Sequence, residues 1–137
     1  MPHDAALVAE TRSWFSKAAK DLATAAYESQ ASPPFAEDIG FHAQQAAEKA
    51  LKGFLTWCGC SFRRTHNLVE LGEACLRLDP GLEDLLRRAA PLTEYAWKFR
   101  YPGDPEELAP AEAAEALGIA QEVYRALLDA LPPEVRP

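Results

Sequence analysis

The stretch that decides the fold of this chain is FHAQQAAEKALKGFL, residues Phe41–Leu55. At roughly 100° per residue, the advance of an α-helix, it separates into two faces of opposite character. The apolar face consists of Ala43, Ala46, Ala47, Ala50, Leu51, Phe54 and, just beyond, Trp57. The polar face consists of His42, Gln45, Glu48, Lys49 and Lys52. Because the alanines allow a neighbouring helix to approach closely, the pattern predicts a bundle helix whose Glu48–Lys52 pair lies on a solvated face at the favourable i,i+4 spacing.

Proline and glycine clusters divide the rest of the chain, because proline removes a helical hydrogen-bond donor and clashes with the preceding turn. Apolar residues at helical spacing between these breaks predict five helices, over about residues 4–29, 41–59, 67–78, 82–99 and 110–131. Asp4 is the predicted N-cap of the first helix, and Asn67, with Glu70 three residues later, has the spacing of a capping box. Pro91 interrupts the fourth helix and predicts a kink or a new helical turn there.

No segment shows the alternation of a β-strand, so the chain is predicted to be all-α. Helices joined by short connections favour an up-and-down antiparallel helical bundle, here of four long helices plus the short third one. A length of 137 residues fits one domain. We expect this single domain, residues 1–137, to have its core at about residues 4–131 and a frayed tail at 132–137.

The composition is that of a soluble globular protein, with 48% hydrophobic and 26% charged residues. No apolar run approaches the roughly 18–20 residues that span a bilayer, and Met1–Asp4 lacks the features of a signal peptide. We therefore expect a cytoplasmic protein that does not contact a membrane. The formal net charge of −7 argues against sequence-independent binding of nucleic acid, although local basic positions occur at Arg63–Arg64, Arg87–Arg88 and Lys98 with Arg100.

The three cysteines, Cys58, Cys60 and Cys75, are an odd number in a chain without an export signal, so reduced thiols are expected. Cys58-Gly59-Cys60 is not the usual zinc spacing, and no second Cys/His pair follows at the required distance. The sequence also lacks glycine-rich phosphate loops and any recognisable nucleophile–base motif. Neither a metal nor a cofactor is expected.

Several motifs, in order along the chain, resemble those of HEPN domains, which are small helical proteins of prokaryotes. They are Trp14 with Asp21-Leu22, the stretch Phe41–Leu55, the segment Arg64-Thr65-His66-Asn67-Leu68-Val69-Glu70-Leu71, and Arg100-Tyr101-Pro102. The Gln-Gln-Ala-Ala-Glu-Lys-Ala-Leu-Lys string is the most specific of them. The resemblance implies the same helical bundle and a homodimer.

Many HEPN domains are metal-independent ribonucleases, in which an Arg is followed by a His after four to six residues and the dimer brings two such motifs into one cleft. In this sequence Arg100 stands in the position of that Arg, but the residues that follow are Tyr101, Pro102, Gly103, Asp104, Pro105, Glu106, Glu107 and Leu108. The His that would serve as general acid or base is absent. The resemblance therefore favours a protein that is not an enzyme.

HEPN domains without the His are associated with nucleotide binding and with minimal nucleotidyltransferases that are often encoded nearby. The resemblance thus implies a non-catalytic module that binds ATP or GTP and pairs with such a partner in a toxin–antitoxin-like system. Candidate nucleotide-binding or phosphate-binding residues are Arg100, Tyr101, Lys49, Lys52, Asp21 and Glu48.

Several alternatives remain open from the sequence. The protein could be a ribonuclease toxin with a replaced base, or a structural dimeric adaptor. Lys49 and Lys52 could be plain surface charges, and Asp21 and Glu48 could only form ion pairs. Arg100, predicted at the end of the fourth helix, could compensate the helix dipole. His42 and His66 are interpreted as structural, with His66 packing at the start of the third helix.

Overall fold

The computed structural model of the protein describes residues 3–103 and 106–137. All regular elements in those ranges are helical, so the all-α prediction is confirmed. The α-helices found there are α1 (Ala5–Glu28), α2 (Ala36–Trp57), α3 (Leu68–Leu78), α4 (Glu83–Ala89) and α5 (Pro110–Asp129). Turns of 3-10 helix cover Pro80–Leu82, Ala90–Ala96 and Pro133–Val135. In this described part of the chain, no helix has both the length and the apolar character to cross a bilayer.

Two predicted N-caps hold these helices at their starts. The Asp4 carboxylate accepts hydrogen bonds from the backbone N–H of Ala6 at 2.7 Å and of Leu7 at 3.2 Å. Asn67 likewise accepts from the N–H of Val69 at 2.9 Å and of Glu70 at 3.4 Å, which begins α3. Only this half of the predicted capping box forms, because the Glu70 side chain pairs with Arg63 instead.

α2 is the central helix of the bundle and packs against both α1 and α5. Its contacts with α1 run in reversed order: Phe15 lies against Gly53, Asp21 pairs with Lys49, and Glu28 pairs with His42. The two helices are therefore antiparallel. The apolar face predicted for α2 is confirmed, since Ala43, Ala46, Ala47 and Ala50 are 0% exposed and Leu51 is 1% exposed.

The fourth helix differs from its prediction. α4 ends at Ala89, and the chain continues as the 3-10 turn Ala90–Ala96 with Pro91 near its start. Proline has no N–H for the α-helical ladder and its ring clashes with the carbonyl four residues earlier, which explains the change. Phe99 then has a φ of 68°, so the chain leaves the helical direction before Arg100. A new helical turn at Pro91, one of the two predicted outcomes, is therefore confirmed, whereas a helix that ends at Arg100 was wrong.

The predicted frayed tail was also wrong. Val135 lies in the 3-10 turn Pro133–Val135 and is 0% exposed, as part of the main core cluster. Arg12 of α1 donates to the carbonyl oxygen of Glu134, with 3.1 Å between Nε and O, and Arg136 pairs with Asp129 at 2.9 Å. The buried Val135, together with the contacts of Glu134 and Arg136 on either side of it, thus packs this segment against the core.

Candidate functional site

The structure distributes the six predicted site residues over three places. Glu48 and Lys52 lie in a buried polar cluster together with Gln44 and His66. Asp21 and Lys49 form an ion pair between α1 and α2. Arg100 and Tyr101 lie near the other end of α2, where Arg100 contacts Phe41. Phe41 and Lys49 are separated by about 12 Å along the helix axis, so these residues do not form one pocket.

Glu48 is the centre of the buried polar cluster. Its Oε1 accepts hydrogen bonds from Gln44 Nε2 at 3.1 Å and from His66 Nδ1 at 2.7 Å, and its Oε2 accepts one from Lys52 Nζ at 3.0 Å. Glu48 is only 4% exposed and Lys52 only 8%, so the predicted solvated face was wrong at these two positions. The reason is a cover of aromatic rings: Lys52 Nζ lies 5.7 Å from the ring centroid of Trp14 and 5.9 Å from that of Phe62.

This environment keeps Glu48 ionised. Burial by itself raises the pKa of the carboxyl group, but the hydrogen bonds from Lys52, His66 and Gln44, together with the charge of Lys52, outweigh it and place the pKa below its ordinary value. Both carboxylate oxygens of Glu48 accept at least one hydrogen bond. The cluster is therefore a satisfied polar network, as burial of a charge requires.

His66 does not pack at the start of α3 as the sequence predicted, because its side chain is 69% exposed. Its Nδ1–H donates to Glu48, and its backbone carbonyl accepts from Gln44 Nε2 at 3.1 Å. Two hydrogen bonds thus fix the segment before α3 onto α2. The sequence contains no local signal for this pairing, since the two residues are 18 positions apart.

Two of the three acidic residues of α1 are paired with side chains of α2. Asp21 accepts from Lys49 Nζ at 2.6 Å, and Glu28 accepts from His42 Nδ1 at 2.8 Å. Lys49 and Lys52 each already donate to a carboxylate and both side chains are largely covered, so a phosphate group would have to share the ammonium group with that carboxylate. The role of these lysines in ligand binding remains a prediction, while their ion pairs are observed.

Arg100 has a different environment. The carbon of its guanidinium group lies 3.8 Å from the centroid of the Phe41 ring, a cation–π contact. Among the described residues it has no hydrogen bond or ion pair. Because α4 ends at Ala89, Arg100 does not compensate a helix dipole, and that alternative is removed.

The other predicted basic positions are largely neutralised by carboxylates. Arg63 pairs with Glu70, and Arg88 pairs with Glu122 at 2.6 Å. Lys98, two residues before Arg100, pairs with Glu94 at 3.5 Å and with Glu106 at 3.1 Å. Unlike these paired cations, Arg100 has no carboxylate partner among the described residues, and the same holds for Arg64.

Two clefts adjoin at this end of α2. The arginine cleft, of about 400 Å³, is lined by Pro34, Phe35, Ala36, Glu37, Asp38, Phe99 and Arg100. The aromatic cleft, of about 630 Å³, is lined by Tyr27, Glu28, Gln30, Ala31, Phe35 and Asp38. Phe35 and Asp38 line both. Sequence reasoning missed this region; its one signal is a phenylalanine directly after the Pro33-Pro34 break, at a helix start.

The HEPN domain family matches residues 11–130 of the chain, which therefore belongs to the HEPN family. Comparison with curated proteins and comparison with solved structures each give no significant match. The assignment of Arg100 to the Arg of the ribonuclease motif, with no His after it, remains a prediction from the sequence. Of the residues that follow Arg100, residues 104 and 105 lie outside the described part of the chain.

Proposed function

We propose that this HEPN domain is a non-catalytic module that binds a nucleotide, ATP or GTP, through Arg100. It acts as a cytoplasmic homodimer and pairs with a small nucleotidyltransferase in a toxin–antitoxin-like system. The observation that carries the proposal is the state of Arg100: its guanidinium group is stacked on Phe41, has no carboxylate partner among the described residues, and lines a cleft.

This geometry suits a phosphate group. Stacking on an aromatic ring uses the flat face of the guanidinium group and leaves the N–H donors at its edge, where they match two phosphate oxygens. Phe41 also holds the side chain in place, so less conformational entropy is lost when a ligand binds. Tyr101, which is 68% exposed, follows Arg100 directly and remains the predicted second contact.

Replacing Arg100 with alanine is expected to weaken ATP or GTP binding by about 10- to 150-fold, since a hydrogen bond to a charged group contributes about 1.5–3 kcal/mol. Titration calorimetry on the wild type and the variant measures this loss, and thermal unfolding checks that the fold is unchanged. Arg88→Ala is the matched control, because Arg88 is exposed and pairs with Glu122 outside both clefts. Equal affinity of wild type and Arg100→Ala for both nucleotides would contradict the proposal.

The purified protein is expected not to cleave RNA, because the general base that follows Arg100 in the nuclease members is missing. Incubation with structured and single-stranded RNAs in the absence of metal should leave them intact. His42 is the candidate for a replacement general acid or base, since its ring lies 5.4 Å from that of Phe41, which Arg100 contacts. Its Nδ1–H donates to Glu28. Cleavage that is lost in both Arg100→Ala and His42→Ala would establish the ribonuclease alternative.

The partner is tested separately by co-expression with a nucleotidyltransferase encoded beside this gene. A complex that survives size-exclusion chromatography supports the pairing. If the protein binds neither nucleotide nor the product of the neighbouring gene, only the structural adaptor remains.

A further inference from the structure

The aromatic cleft is bordered by two rings that the fold does not bury. Tyr27 is 78% exposed and Phe35 is 57% exposed. Both rings are large and apolar, so burying either of them in the core would have been favourable. Both line the same cleft, whose volume of about 630 Å³ lies in the range of small-molecule sites, about 300–1,000 Å³. Two exposed rings therefore line one concave surface, where an aromatic ligand can contact them.

Phe35 does not stabilise the start of α2 through its side chain. It is the N-cap residue, and it makes no side-chain hydrogen bond to the first turn. Serine, threonine, aspartate or asparagine is preferred at this position because their side chains accept from the free N–H groups. The helix start therefore gives no local reason for a phenylalanine, whereas the cleft does.

Asp38 lies where the two clefts meet. It lines both the aromatic and the arginine cleft, is exposed, and has no hydrogen bond or ion pair among the described residues. Its two oxygens can therefore accept from two neighbouring hydroxyl groups. A carboxylate at the border between a base site and a phosphate site is the arrangement by which dinucleotide-binding folds hold the hydroxyls of ribose.

We propose that the two clefts form one ribonucleotide site. The base stacks on Tyr27 and Phe35, the ribose hydroxyls donate to Asp38, and the phosphate binds Arg100. This inference rests on the proposed nucleotide binding. It adds that the base lies in the aromatic cleft and the phosphate in the arginine cleft, and that the site prefers ribose to a sugar without hydroxyl groups. Tyr27 lines only the aromatic cleft, Phe35 and Asp38 line both clefts, and Arg100 lines only the arginine cleft. A nucleotide that crosses the border can therefore place its base in the first cleft, its sugar at Asp38 and its phosphate in the second cleft.

The test compares ATP with 2′,3′-dideoxy-ATP on the wild type and on three cleft variants. Phe35→Ser removes the ring while supplying a favoured N-cap, so a loss of binding cannot be attributed to a weaker helix. Tyr27→Ala removes the second ring, and Asp38→Ala removes the carboxylate. Trp97→Ala is the control, since Trp97 is 59% exposed but lines neither cleft.

We expect Phe35→Ser and Tyr27→Ala each to weaken ATP binding by about 5- to 150-fold, the range measured for loss of base stacking, while Trp97→Ala binds like the wild type. The wild type should prefer ATP over the dideoxy analogue by about tenfold or more, and Asp38→Ala should abolish that preference.

Distinct results overturn the inference and the function on which it rests. If Arg100→Ala weakens ATP binding but Phe35→Ser and Tyr27→Ala do not, the proposed orientation of the ribonucleotide is wrong, whereas the proposal that the protein binds a nucleotide is supported. If Asp38→Ala tightens both nucleotides equally, Asp38 only repels phosphate, and the ribose contact is wrong. If Phe35→Ser no longer binds the nucleotidyltransferase but binds ATP as the wild type does, the aromatic cleft is a protein-docking surface and the base does not stack there. If the wild type binds no nucleotide, both proposals fail.

Discussion

Replacing Glu48 with alanine is expected to lower the free energy of unfolding by about 3–5 kcal/mol, because it leaves a buried charge without a partner. Lys52, only 8% exposed, would keep its ammonium group under Trp14 and Phe62 with no carboxylate to bind it. Gln44 and His66 would also lose their acceptor. Urea denaturation measures the change. In the Glu48→Ala variant we also expect the segment before α3 to become more mobile, because the hydrogen bond from His66 that holds it against α2 is lost.

The matched control is Glu83→Ala in α4. Glu83 and Arg87 form an acid–base pair at the same i,i+4 spacing, but their side chains are 62% and 70% exposed. Its loss should cost at most about 1 kcal/mol, since water screens an exposed pair. Replacing both members of the buried pair, as Glu48→Leu with Lys52→Met, should recover much of the stability lost in Glu48→Ala. Equal losses for Glu48→Ala and Glu83→Ala would show that the buried network contributes no more to stability than an exposed ion pair.

The same carboxylate gives the protein a defined response to acid. Because the pKa of Glu48 is lower in the folded protein than its ordinary value of 4.5, its contribution is fully present above about pH 4.5 and is lost as the pH falls through the folded value. The unfolding free energy of the wild type should therefore fall more steeply below about pH 4.5 than that of Glu48→Gln. Parallel curves for the two proteins would contradict the lowered pKa.

Replacing Gly53 with alanine is expected to lower the free energy of unfolding by about 1–3 kcal/mol, the usual cost of overfilling a packed core. A Cβ at this position would lie 2.8 Å from Cε2 and 3.0 Å from Cδ2 of Phe15, and 3.0 Å from Cβ of Trp14. Phe15 is 0% exposed and so cannot move aside without disturbing α1. Trp14 covers Lys52, so the strain should also reach the buried polar cluster.

Gly118→Ala in α5 is the control for Gly53→Ala, since a Cβ there meets nothing within 4 Å. Alanine is favoured over glycine inside a helix by about 0.5–1 kcal/mol, so this variant should become more stable. The two substitutions, identical in chemistry, are thus expected to act in opposite directions. Thermal unfolding distinguishes them. Stabilisation by both would mean that α1 and α2 are not in close contact at Gly53.

Much of the architecture could be predicted from the sequence because its signals are local. The periodicity of α2 specified which alanines face the core, and Asp4 and Asn67 specified where two helices begin. The family motifs specified membership in the HEPN family. The fourth helix was less predictable, because Pro91 allowed either a kink or a new helical turn, and the structure has the new turn, with 3-10 geometry.

The candidate site was only partly predictable. Arg100 was recognised from its motif, but its contact with Phe41 was not, since the two residues are far apart in sequence and meet only because the chain turns at Phe99. Phe35, directly after the Pro33-Pro34 break, was the one signal of the aromatic cleft, and Tyr27 gave none. Val135 was placed in a frayed tail because nothing local indicates that a distant part of the core has room for it.

The sequence by itself determined the helices, their apolar faces and the missing histidine of the nuclease motif, because each of these depends on residues within a few turns of one another. Only the tertiary structure decided which polar residues are covered. Glu48 and Lys52 follow the spacing of a solvated pair, yet Trp14 and Phe62 cover them and His66 completes their network from another segment. The periodicity of a helix records the direction in which each side chain points, whereas its burial depends on where the rest of the chain passes.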